Sequence, residues 1–118
     1  AAWSAAPSGT TRTQQPQLTA SDGAANDEFG RSVGLSGDFT IIGAFTDDVG
    51  ANGDQGTSLV FSGVGSVWIG PDLTLLASDG AALDNFGHAV AIDGDTAIVS
   101  APLDDVGANV DQGSAYIF

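Results

Sequence analysis

The chain has 118 residues, 42% of them hydrophobic, which suffices for one domain or for two small units that share a core. Lysine and arginine total 2, Arg12 and Arg31, against 15 acidic residues, giving a formal charge of −13. Phosphate recognition depends on basic side chains, so this surface argues against nucleic-acid binding and against anionic lipid.

Cysteine and methionine are both absent, which removes a disulfide framework and any thiolate metal site. A chain without methionine reads as a processed form or as an excerpt from something longer. The opening "AAWSAAPSG" has no basic n-region and no long apolar h-region, so no signal peptide is expected within it. No apolar run approaches the roughly 20 residues of a membrane helix, so no membrane insertion is expected. Lacking cysteine, methionine and lysine, the chain would resist oxidation and lysine-directed proteolysis, which favours an extracellular or cell-surface location.

In chain order, residues 1–19 form an arm. Its "SAAPSGTTRT" stretch (4–13) has a serine, threonine and proline content that suits O-linked glycans or a flexible lead-in. No Asn-x-Ser/Thr sequon occurs anywhere. From residue 20 the chain repeats itself. "ASDGAANDEFGRSVGLSGDFTIIGAFTDDVGANGDQGTSLVF" (20–61) aligns without a gap on "ASDGAALDNFGHAVAIDGDTAIVSAPLDDVGANVDQGSAYIF" (77–118), at an offset of 57 with 24 of 42 positions identical.

Each copy carries short apolar runs bounded by turn residues. Ser32–Ser36 and Ala89–Asp93 alternate and end at "SGD" or "DGD"; Phe39–Phe45 and Thr96–Ala101 follow, rich in isoleucine and valine; "TSLVF" (57–61) and "SAYIF" (114–118) come after an aspartate-rich decamer. A further strand is expected in "VWIGPDLTLL" (67–76), where Pro71 favours a sheet edge over its centre. Nothing shows helical periodicity. The expected fold is all-β, with four short antiparallel strands in a period of the size of a propeller blade. The units are 1–19, 20–76 and 77–118.

The "FG" at 29–30 and 86–87, followed by "IIGAF" (41–45) and "AIVSAP" (97–102), resembles the FG-GAP repeat. The resemblance implies blades of a β-propeller like those of integrin alpha chains and of many extracellular proteins. Here the "GAP" element is degenerate, ending in Phe45 in one copy and beginning with Ser100 in the other.

Residues 62–76, the 15 that follow the first copy, have no counterpart after Phe118; sliding back by 57 places their counterpart at residues 5–19, with Leu18 beneath Leu75. A fourth strand therefore belongs at the N-terminus and a vacancy at the C-terminus. Two blades cannot close a ring. Two readings stay open: the chain is an excerpt of a larger propeller, or the arm of a neighbouring chain fills the vacancy by strand addition, which would join identical subunits head to tail into a ring or filament. In the second reading Gln17 and Leu18 belong to the donated strand, and Ala115, Tyr116, Ile117 and Phe118 to the edge that receives it. The partner is then the chain itself.

The repeated decamer, "DDVGANGDQG" (47–56) and "DDVGANVDQG" (104–113), offers candidate calcium ligands in Asp47, Asp48, Asn52 and Asp54, with Asp104, Asp105, Asn109 and Asp111 as their twins. Neither copy has the ligand spacing of an EF-hand. The hairpin that holds calcium in integrin-type repeats is reduced here to "SGD" and "DGD". The competing reading is turn chemistry, in which aspartate and asparagine bond nearby backbone amides while glycine supplies positive φ; six aspartates recur at the offset, all in expected turns. Catalysis has little support: His88, the single histidine, is replaced by Arg31 in the other copy, and adjacent Asp47 and Asp48 do not face one another as hydrolytic carboxylates must. Phe29, Phe86, Phe61 and Phe118 recur and are expected in the core; Trp3, Trp68 and Tyr116 do not recur, which argues against a repeated aromatic cage. The sequence reading is a non-catalytic extracellular structural module that self-assembles by strand exchange; the alternative is a fragment of an adhesion or lectin-like propeller with a protein or carbohydrate ligand.

Overall fold

A computed structural model describes residues 8, 9, 11, 13–65 and 67–118. The described residues form seven strands and no helix: β1 (Ser32–Ser36), β2 (Phe39–Ala44), β3 (Thr57–Val64), β4 (Val67–Leu75), β5 (Val90–Asp93), β6 (Thr96–Ala101) and β7 (Ser114–Ile117). They make two antiparallel sheets, one ordered β1-β2-β3-β4 and the other β5-β6-β7. β4, with Pro71, is an edge strand as expected, and its register against β3 shifts between Val60 and Ser62. Within the described residues the second sheet has three strands, and Pro102 follows rather than continues β6.

Local sequence explains the hairpins. Ser36 pairs with Phe39 and Asp93 with Thr96, which leaves only Gly37-Asp38 and Gly94-Asp95 to reverse the chain. The glycines supply φ of 54° and 55°, and a glycine at the first central position is what a two-residue reversal of this kind requires. The repeat extends to backbone conformations that side chains resist: Asn26 and Leu83 both have φ 71°, Glu28 and Asn85 have 53° and 58°, and Asp54 and Asp111 have 53° and 52°.

The two sheets share one core. Ile41, Val60 and Leu75 of the first pack with Ala97 and Val99 of the second and with Phe86 in the loop before β5, and Val90, Ile92 and Tyr116 close over the cluster. A smaller cluster, Ile42, Leu59 and Phe61, lies on the opposite face of the first sheet under Leu18, Phe29 and Trp68. Three of the four recurring phenylalanines are thus core or packed against it. Phe118 departs from expectation: it is 43% exposed, whereas its counterpart Phe61 is 1% exposed. The physical reason is cover: the ring of Phe61 comes within 3.2 Å of a Cβ built on Gly70 of β4, and among the described residues no strand lies over Phe118 in the same way.

Candidate functional site

The decamer folds as a compact corner, twice. In the first, Val49 and Asn52 exchange backbone hydrogen bonds of 3.0 Å, the Asp54 N–H donates to Asp48 Oδ1 at 2.9 Å, and the Gly56 N–H donates to the Asp47 carbonyl at 2.9 Å. Asn52 Nδ2 donates to Gln55 Oε1 at 2.8 Å. The second corner repeats each bond: Val106 with Asn109 at 3.1 Å, Asp111 N–H to Asp105 Oδ1 at 2.8 Å, Gly113 N–H to the Asp104 carbonyl at 2.9 Å, and Asn109 Nδ2 to Gln112 Oε1 at 2.7 Å. Asp48, Asn52, Asp105 and Asn109 therefore spend polar atoms on the corner's own amides. Asp54 and Asp111 contribute mainly a left-handed backbone.

Asp47 and Asp104 point elsewhere. Asp47 Oδ2 accepts from the Thr57 hydroxyl at 2.6 Å. Burial raises its pKa above the ordinary 3.8, the Thr57 bond works against that, and the charges of Asp27, Asp22 and Asp48 add to it. Asp104 is buried and lies 3.0 Å from the Tyr116 hydroxyl. Asp84 is buried beside it and accepts from the Ala81 N–H at 2.7 Å. Its pKa is also raised, chiefly by burial and then by Asp104, Asp105 and Asp79. The acidic neighbourhoods are thus Asp22, Asp27, Asp47 and Asp48 in one repeat and Asp79, Asp84, Asp104 and Asp105 in the other, a grouping that differs from the one read along the decamer. Among the described residues no group of three or more His, Asp or Glu side chains is arranged to hold a metal ion.

The first corner also performs a task that its own sequence does not announce. Its carbonyls at Gly53, Asp54 and Gln55 accept from the N–H groups of Leu83, Asn85 and Phe86 in the second repeat, at 2.9, 3.2 and 2.9 Å. Asn85 Nδ2 adds bonds to the Phe45 and Asp54 carbonyls. Lower on the same seam, the Ser32 hydroxyl donates to the Gly87 carbonyl at 2.7 Å and the Gly94 N–H donates to Ser36 Oγ at 3.0 Å. The corner is a clasp that holds the "FG" loop of the next repeat. The signal for it in sequence is the recurrence of Gln55 as Gln112 and of Gly80 as Gly23, since the Gln55 side chain fills the space above Gly80.

Of the residues expected in assembly, Gln17 is exposed and Leu18 is half-buried on the Ile42–Leu59–Phe61 cluster of its own first sheet; residues 13–19 form no strand. Ala115, Ile117 and Phe118 are exposed and Tyr116 is half-buried. The outer edge of β7, where a donated strand is expected, carries no strand among the described residues of this chain. His88 is exposed, with its ring 5.1 Å from that of Phe45. Trp3 and Arg12 lie outside the described residues.

Two tandem antiparallel sheets, built from copies of one repeat at an offset of 57 residues and clasped face to face, define a β-propeller-like repeat protein. The FG-GAP repeat family matches residues 12–61 and 72–118, and the chain belongs to that family. Comparison with curated proteins gives no match.

Proposed function

We propose that this chain is a non-catalytic, extracellular structural module that joins to copies of itself head to tail by strand addition at β7. The observation that carries the reading is the contrast between Phe61, 1% exposed beneath β4, and Phe118, 43% exposed where the equivalent strand would lie. The groove beside Phe118 has a volume of about 220 Å³ and is lined by Phe39, Leu73, Leu75, Ile92 and Ala97, an apolar seat for side chains of an added strand. Because the N–H and C=O of Phe118 both bond to Ala97, antiparallel alternation directs those of Ala115 and Ile117 to the open edge. In the register of Ser58 with Leu75 and Val60 with Leu73, Leu18 of a donated arm meets Ala115 and Pro16 meets Ile117. Pro16 accepts but cannot donate, so this strand makes one ladder bond fewer than β4 makes.

The extracellular assignment rests on the family and on a chain without cysteine, methionine or lysine. No helix among the described residues is long and apolar enough to cross a membrane. Glycans on the serine- and threonine-rich arm belong to the same reading as a secondary feature, measurable by mass; calcium at the acidic corners does not, because Asp48 and Asp105 already bond the corners' own amides. The test of the main claim removes residues 1–16, which leaves Leu18 in place. Light scattering should then show smaller species than the parent forms at the same concentration; equal sizes would rule out residues 5–16, and with them the pairing of Pro16 with Ile117, as the joining strand.

A further inference from the structure

We propose that the outer face of the second sheet is a docking surface for the first sheet of another copy of this chain, in the head-to-tail relation that the two sheets already hold within one chain. The inference rests on the self-assembly reading for its partner but uses a sheet face and loop carbonyls, not the β7 edge.

The internal seam supplies the template. On the first sheet, Gly34, Ile41 and Val60 face the second sheet, and Ile92 Cγ2 lies 3.5 Å from a Cβ built on Gly34. Ile41 is 0% and Val60 6% exposed there. The same positions 57 residues on are Ala91, Ile98 and Ile117, and they line an open groove of about 310 Å³. Ile98 is 41% and Ile117 66% exposed. The complementary half also stands open: Val33 and Leu35, the counterparts of Val90 and Ile92, are exposed on the far face of the first sheet. In a second copy, Leu35 would therefore sit over Ala91 as Ile92 sits over Gly34.

Hydrogen-bonding groups match in the same register. The clasp uses the N–H groups of residues 83, 85 and 86 and the carbonyls of residues 53–55. Their counterparts are the N–H groups of Asn26, Glu28 and Phe29 and the carbonyls of Val110, Asp111 and Gln112, and among the described residues none of these makes a hydrogen bond. Val110 in place of Gly53 is accommodated, because a Cβ there meets only Asp48 Oδ1 at 3.7 Å. Asp93 stands where Ser36 accepts from Gly94, which puts a carboxylate opposite the Gly37 N–H of a second copy and makes that bond charge-assisted. One position fits less well. A Cβ on Gly43 would lie 2.1 Å from the Gly87 carbonyl oxygen, and its counterpart Ser100 carries such a Cβ. The Gly30 carbonyl of the incoming copy must stand further off, so the contact between chains is looser than the seam within one.

The chain contains no cysteine, so single thiols can report on the contact in the full-length protein. Leu35→Cys and Ala91→Cys variants are oxidised separately and as a mixture, then run on a denaturing gel. The mixture should give a disulfide-linked dimer at least roughly tenfold faster than either variant alone. Equal rates from one variant alone would mean a symmetric contact, and absence of any dimer would mean no contact; either overturns the proposal. Cross-linking lost when residues 1–16 are removed would leave β7 strand addition standing and overturn face docking as a contact in its own right. Cross-linking that persists supports docking even if strand addition fails. As a gain-of-function arm, Ala89→Ser with Ser100→Gly writes the Ser32 and Gly43 pair into the second sheet. It should lower the dissociation constant by roughly three- to tenfold, the value of one added hydrogen bond; weaker association would overturn the register.

Discussion

The Tyr116 hydroxyl lies 3.0 Å from Asp104 Oδ2 and 2.8 Å from Asp79 Oδ1, so one phenolic proton is set between two carboxylates. Burial, followed by those two acceptors, pushes the phenol above its ordinary pKa of 10.0. The first repeat solves the same problem differently, since Asp47 takes its bond from Thr57 and position 59 is leucine. Tyr116→Phe keeps the ring on Phe86, 5.6 Å away centroid to centroid, but removes the donor from buried Asp104. Urea denaturation at neutral pH should show a loss of about 1–3 kcal/mol. An unchanged midpoint would mean that water replaces the phenol.

Acid should stabilise the fold before it harms it. Asp47 and Asp84 have pKa values raised above 3.8 by burial first and by neighbouring carboxylates after it. A carboxyl whose folded pKa exceeds its unfolded one binds its proton more tightly when folded, so stability rises as pH falls through the folded value and that gain is absent at neutral pH. Relief of self-repulsion in a chain of charge −13 acts in the same direction. The thermal midpoint should therefore increase as pH is lowered from 7 toward the ordinary carboxylate value. A steady fall over that interval would contradict the burial of these two groups.

Calcium should have little to gain at the corners, because Asp48 and Asp105 already accept from the backbone at Asp54 and Asp111. Titration followed by thermal melting should leave the midpoint in place, whereas a clear rise would restore the corners as metal sites. Asp48→Ala should cost about 1 kcal/mol with or without calcium, as loss of a local cap does elsewhere.

Gly43→Ala tests the seam within one chain. The added methyl would sit 2.1 Å from the Gly87 carbonyl and 2.3 Å from Ser32 Oγ, so the sheets must part. A destabilisation of about 1–3 kcal/mol is expected, together with faster amide exchange at Phe86, whose N–H bonds to Gln55 across the seam. Ser100→Ala, at the equivalent and open position, should change stability by under about 1 kcal/mol.

Pro16→Leu addresses the added strand. It restores the N–H that Leu73 carries in β4, so self-association measured by sedimentation should strengthen by roughly three- to tenfold. For any assembly of this chain, added salt should help, because copies of charge −13 repel and screening acts over about 10 Å at 0.1 M. Weaker association of the proline variant would exclude the register proposed for the arm.

Much of this was readable in residue order. The hairpins at Gly37 and Gly94, the edge position of β4 and the twin corners all follow from local rules, namely alternation, turn residues and the proline that a central strand rejects. An offset of 57 carried those rules from one repeat to the other. What lay beyond residue order were relations between repeats. That Gly53, Asp54 and Gln55 would clasp residues 83–86, that Tyr116 would reach back to Asp79, and that Leu18 would rest on its own first sheet all depend on how two sheet faces meet. Phe118 is the plainest case: the phenylalanine that ends the same strand in both repeats is core as Phe61 and exposed as Phe118, because burial belongs to the strand that covers a residue and not to the residue.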